Sequence, residues 1–169
     1  HGAVCRFGQN MHLSHKDGTP FYWLADTWWM ALTKRLTFPK DFMTLLDDRI
    51  AKGFNVVQII AGLYPDMTMF DPRGENEAGF PWKEDLSSIN PEYFDKADER
   101  IMMLVDKAVM PCIVGSWGFY MSYAGKDTLK KHWRYIIARW GAMPVCWCVA
   151  GEANMAFYND HVSYEEHIR

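Results

Sequence analysis

The sequence predicts an α/β fold of the (β/α)8 TIM-barrel type, truncated to about the first four βα units and led in by an N-terminal β-hairpin. Three observations carry that prediction. Short apolar, β-branched segments alternate with amphipathic helical stretches along the whole chain. The turn after the first strand reads Ala25-Asp26-Thr27-Trp28-Trp29, where a doubly wound nucleotide-binding sheet carries glycines; bulky indoles cannot cradle a pyrophosphate. The 169 residues suffice for one domain with a core but fall short of the about 250 that a closed barrel uses.

Each element has its own signal. Residues 1–20 lead in as the hairpin, with Met11 to Trp29 holding a strand, a turn at Asp17-Gly18 and a second strand from Phe21 to Ala25. Residues 21–169 hold the four units. Pro39 opens a helix with Phe42, Leu45, Leu46 and Ile50 at helical spacing, and Gly53 closes it. Phe54 to Ile60 is a buried strand. Asn90-Pro91 supplies a cap and a first-turn proline for a helix with Phe94, Ala97, Ile101 and Leu104 on one face. Pro111 to Gly115 is the next strand. Asp127 caps a helix carrying Leu129, Trp133, Ile136 and Trp140, which Gly141 stops, and Pro144 to Val149 is the last strand. Ser163-Tyr164-Glu165-Glu166 has capping-box spacing and starts a further helix.

Composition excludes several functions. A formal net charge of -3 with no compact Lys/Arg cluster argues against nucleic acid or an anionic membrane as partner. No apolar run approaches the about 20 residues of a membrane helix. The start at His1 lacks the order of a signal peptide and reads as a processed or truncated end. Cys146-x-Cys148 lacks the spacer of common zinc or redox motifs, so Cys5, Cys112, Cys146 and Cys148 read as small buried hydrophobes. The histidines show neither His-x-His nor His-Glu-x-x-His spacing, so no metal and no cofactor is expected.

The strand ends carry the chemistry. They read Asp26-Thr27-Trp28-Trp29, then Gln58 with Ala61-Gly62-Leu63-Tyr64, then Ser116-Trp117-Gly118-Phe119-Tyr120, then Gly151-Glu152-Ala153-Asn154. In a barrel these ends converge on one face and line a cleft of carboxylates, amides and flat apolar rings. That mixture suits a carbohydrate, whose hydroxyls need paired hydrogen bonds and whose C–H faces pack on aromatic rings.

His12-Leu13, the block from Asp17-Gly18-Thr19-Pro20-Phe21 to Asp26-Thr27-Trp28-Trp29, Lys52-Gly53-Phe54-Asn55, Tyr93-Phe94-Asp95 and Trp147-x-x-Ala150-Gly151-Glu152 follow one another along nearly the whole chain. In these motifs the sequence resembles the apiosidase-like glycoside hydrolases. The resemblance implies a barrel hydrolase of plant cell-wall, pectin-type glycans, with apiose-linked side chains among its substrates and a secreted or periplasmic location. It also implies an acid/base carboxylate after the fourth strand and a partner carboxylate from a later strand, so that these residues alone would be inactive.

Glu152 is the candidate acid/base, since glycoside hydrolysis needs one carboxylic acid to protonate the leaving oxygen. Burial beside Trp147 or Trp117 would suit it as a proton donor. The plain alternative is that it caps a loop or pairs with Arg134 or Arg139. Asn154 holds a sugar hydroxyl or is an ordinary turn amide; Asp26 binds sugar or braces the Trp28-Trp29 turn. Trp28, Gln58, Tyr64, Trp117 and Tyr120 complete the substrate-binding set, although Trp28 and Trp29 cannot both face the cleft. The long segment from Leu63 to Ile89 is expected to form a cleft wall. A non-catalytic carbohydrate-binding fragment, and a metal-independent lyase or isomerase using Asp26 with Glu152, remain as alternatives. A half barrel exposes sheet edges, so self-association is expected.

Overall fold

Two sheets organise the chain in the computed structural model, which describes residues 2–6, 11–65 and 67–152. β1 (Val4–Cys5), β2 (Leu13–His15) and β3 (Pro20–Phe21) form a small antiparallel sheet in that order. β4 (Ala25–Thr27), β5 (Val56–Ile60), β6 (Met110–Val114) and β7 (Cys146–Cys148) form a parallel sheet, also in sequence order. Between the parallel strands lie α1 (Lys40–Ala51), α2 (Pro91–Asp106), and α3 (Phe119–Ala124) followed by α4 (Lys126–Trp140). Strictly sequential parallel strands joined through helices are the pattern of repeated βα units.

Register decides which side chains meet the helices. Asp26, Val57 and Pro111 are aligned across the sheet, as are Ile59, Ile113 and, on the last strand, Trp147. Because side chains alternate along a strand, these residues share one face. That face packs on the apolar stripes of α1, α2 and α4, where Phe42, Leu46, Phe94, Ile101, Ile136 and Trp140 are fully or almost fully buried. Each such side chain contributes about 2 kcal/mol by leaving water. Thr27, Gln58, Cys112 and Cys146 align on the opposite face. The Cys112 thiol, buried and next to Cys146, is pushed up to about 12 and stays protonated. A second cluster, built from Ile60, Leu63, Val114, Trp117 and Tyr120, sits at the carboxyl ends of β5 and β6.

Three local expectations need correction, and one element is additional. The segment from Phe21 to Ala25 is not one strand: Pro20–Phe21 pairs with β2, while Ala25–Thr27 joins the parallel sheet. Asn55 spans the break, its amide donating to the Tyr22 carbonyl at 2.7 Å and accepting from the Leu24 N–H at 3.1 Å. Asn90 precedes α2 as expected, but its side chain donates to the carbonyls of Ala78 and Phe80 and makes no capping bond. Asp127 lies inside the first turn of α4, because Gly125 takes the capping position with a φ of 79°. α3 carries no apolar period in six residues and was not expected. The helix start at Ser163 lies outside the described residues.

Candidate active site

Backbone pairing continues past the ends of β6 and β7. Trp117 and Gly151 form a parallel bridge; the Gly118 N–H donates to the Gly151 carbonyl at 2.7 Å and the Gly151 N–H to the Ser116 carbonyl at 3.2 Å. The indole of Trp117 lies directly on Gly151, where a Cβ would stand 2.1 Å from Cε3 of the ring. No other residue type fits there without moving the indole. Glu152 follows with a φ of 52°, in the left-handed region that costs a residue with a side chain about 1 kcal/mol. Its side chain is exposed, and Oε2 accepts the Trp117 indole N–H at 2.9 Å. The other side of Trp117 meets Trp29, ring centroids 5.1 Å apart at 58°. The ends of β4, β6 and β7 are thus tied by two indoles and one carboxylate.

Asp26 is placed differently. Its Oδ1 accepts the Thr27 N–H at 2.8 Å, and its Oδ2 accepts the Trp28 indole N–H at 2.9 Å and the Nε–H of Arg49 on α1. Burial works to raise the Asp26 carboxyl, but the bonds from Trp28 and Arg49 outweigh it and leave the group below the ordinary carboxylate value. Arg49 also lies 5.6 Å from the centroid of Phe54 and pairs with Asp48. Of the two roles open to Asp26, bracing the turn fits this geometry.

The profile of the apiosidase-like catalytic domain matches residues 8–168. The chain belongs to that family. Its fold resembles a solved glycoside hydrolase at a TM-score of 0.72 and 22% identity, covering 89% of this chain and 34% of the other. It resembles a family 5 glycoside hydrolase from Bacteroides vulgatus ATCC 8482 at 0.72 and 19%, covering 89% and 33%. The chain therefore spans about a third of the length of these structures. Among curated proteins none matches it.

In this apiosidase-like chain, burial corrects part of the expected substrate-binding set. Trp28 is 6% exposed, its ring edge-on to Phe42 and its N–H spent on Asp26. Tyr64 is buried with its hydroxyl 2.7 Å from that of Tyr93, and Tyr120 is buried with its hydroxyl donating to the carbonyls of Tyr64 and Met67. Burial raises all three phenols above their ordinary value. Trp28, Tyr64 and Tyr120 therefore pack the fold and present no free face to a ligand. Gln58 is mid-strand, aligned with Thr27 and Cys112, rather than at a strand end. Trp147 turns to the helix side against Trp133, leaving Trp117 as the indole beside Glu152. Arg139 pairs with Asp95 and Asp98 on α2 rather than with Glu152. Asn154 lies outside the described residues. Of the two indoles that cannot both face the cleft, Trp28 packs inward and Trp29, in the turn after β4, is the one left 38% exposed.

The segment from Leu63 to Ile89 is fastened to the same strand ends. Its Trp82 indole donates to Nδ1 of His132 at 3.2 Å, so Nε2 carries the proton that His132 donates to the Gly115 carbonyl at 2.8 Å. Burial holds His132 well below its ordinary value, at about 4, and keeps it neutral. Trp133 covers Gly115 as Trp117 covers Gly151: a Cβ there would stand 2.2 Å from Cζ2. Earlier in the segment Asn76 donates to the Tyr93 carbonyl, and Glu77 pairs with Arg100, a guanidinium buried 4.8 Å from the centroid of Phe38.

Proposed function

We propose that the protein hydrolyses glycosidic bonds in plant cell-wall, pectin-type glycans, including apiose-linked side chains, with Glu152 as general acid/base. The observation that carries this is the state of Glu152 in an apiosidase-like chain. It stands at the carboxyl end of β7, exposed, oriented by one indole N–H, and among the described residues it is paired with no cation. In its protonated form such a carboxyl group is free to give its proton to a leaving oxygen and is left as the carboxylate. Trp117 orients it, and Asn154 remains a proposed partner for sugar hydroxyls.

Asp26 argues against the lyase or isomerase alternative, which needs a second carboxylate in the cleft. It is committed to Arg49, Trp28 and the Thr27 N–H on the helix side. The partner of Glu152 then comes from a later strand of a complete barrel, of which this chain supplies about the first four βα units. On that reading the 169 residues alone are inactive. They also leave a groove of about 600 Å³ between α4 and β7, floored by Leu129, Trp133 and Trp147, and the edge of β7 unpaired among the described residues. Light scattering on the isolated chain should accordingly find self-association; a soluble monomer would count against the half barrel.

Activity is tested on the full-length protein with a panel of aryl glycosides and pectic side-chain oligosaccharides. Release of a reducing sugar from an apiose-bearing oligosaccharide is the expected outcome. Turnover of none of the panel would sink the assignment.

A further inference from the structure

A sugar ring needs an open, rigid aromatic face at a fixed distance from the acid that protonates its bond. Three indoles stand near the end of β7, and burial separates them. Trp147 is turned toward α4. Trp117 is 7% exposed, closed on one side by the backbone of Gly151 and on the other by Trp29. Trp29 is 38% exposed and is backed by Trp117, whose N–H is fixed on Glu152.

We propose that Trp29 is the stacking platform for the sugar unit adjoining the bond that Glu152 protonates, and that Trp117 is a positioning residue setting the spacing between platform and carboxylate. This deepens the glycosidase reading and rests on it. Trp29 follows the first parallel strand and Glu152 the last, at opposite edges of the sheet, and Trp117 from the end of β6 is the ring that connects them. The platform is rigid because Trp117 is locked twice, by its indole hydrogen bond and by the lack of a side chain beneath it. A sugar stacked on Trp29 would have its C–H face against the ring and its linking oxygen directed toward Glu152.

The test uses the full-length protein and an apiose-bearing pectic side-chain oligosaccharide as probe. Trp29→Ala should raise KM about tenfold, while kcat falls less than about threefold and Trp29→Phe restores most of the affinity. Trp117→Phe, which keeps a ring behind Trp29 and loses the N–H, should do the reverse: kcat falls, most for poor leaving groups, and KM stays nearly unchanged. If the wild-type protein cleaves the probe and Trp29→Ala leaves KM as it was, the platform is wrong and the glycosidase reading stands. If Ala and Phe at position 29 lose activity equally together with melting temperature, Trp29 is a packing residue and the platform is likewise wrong. If the wild-type protein neither binds nor cleaves the probe, the carbohydrate reading itself fails and the platform falls with it.

Discussion

Two carboxylates in this protein each accept an indole N–H at 2.9 Å, Asp26 from Trp28 and Glu152 from Trp117, yet their surroundings are opposite. Asp26 sits on the face of the sheet that meets the helices, and Arg49 of α1 neutralises it. Glu152 comes one residue after the bridge at Gly151, in a left-handed backbone that turns its side chain into solvent with no described cation beside it. The same side-chain pair is a brace where it faces helices and a candidate acid where it faces water. Residue type does not separate them; strand parity and backbone conformation do.

The comparison is broken most sharply by exchanging the charge at Glu152. Glu152→Gln should slow hydrolysis of glycosides with poor leaving groups about a thousandfold, far more than those with good ones, because only the former need the proton to leave. Its melting temperature should not move; equal loss on both substrate classes would point to another role. Acid should separate the two ends next. The unfolded chain takes up a proton at His132 near its ordinary 6.5, whereas the folded protein resists it until about 4. Lowering the pH through that window should therefore remove up to about 3 kcal/mol of stability, and raising it restores this. Asp26, held below the ordinary carboxylate value, keeps its charge to lower pH than a free carboxylate does. Denaturant titrations at several pH values should show the slope in the wild type and a flatter one in His132→Gln.

Gly151→Ala comes third. A methyl group at that position must displace the Trp117 ring, and a shift of about 1 Å at Glu152 should cost about a hundredfold in kcat/KM with a smaller change in folding. Asp26→Ala is the smallest and the mirror image. It should lower stability by about 2 kcal/mol, by leaving Arg49 and the Trp28 N–H short of an acceptor, with kcat per folded molecule preserved. A large kcat loss in Asp26→Ala, measured at a temperature where it is folded, would erase the distinction between the two carboxylates.

Much of the fold was legible in the sequence because its signals are local. Pro39, Asn90-Pro91 and Gly141 mark helix ends where the structure has them, and the apolar runs of β5, β6 and β7 fall where apolar content places them. What failed depended on contacts made far along the chain. Asn90 looks like a cap by neighbourhood, but the carbonyls of Ala78 and Phe80 reach it first. At the site, a strand running into Gly-Glu made Glu152 legible as a strand-end carboxylate, but the expected burial beside an indole was not met, since its side chain is exposed and accepts the Trp117 N–H from the edge. Tyr64 and Tyr120 were not legible as buried residues, because only the folded segment from Leu63 to Ile89 supplies the partners that bury them. Trp28 and Trp29 differ by one position yet one is buried and the other partly exposed, because the chain leaves β4 at Thr27 and turns there, a bend that strand periodicity does not describe.

The fastening of that segment has an evolutionary corollary. Trp82 is hinged on His132 and Asn76 on the Tyr93 carbonyl, and Glu75 is tied to Lys34, while in the short 3-10 turn Pro72–Gly74 the half-exposed Arg73 side chain pairs locally with Asp71. A lineage can therefore recharge position 73 without transmitting the change to Gly115 and the strand end beyond it. Diversification is thereby partitioned, with a tip open to drift and a root where the exchange of one indole or one imidazole would be felt at Trp117.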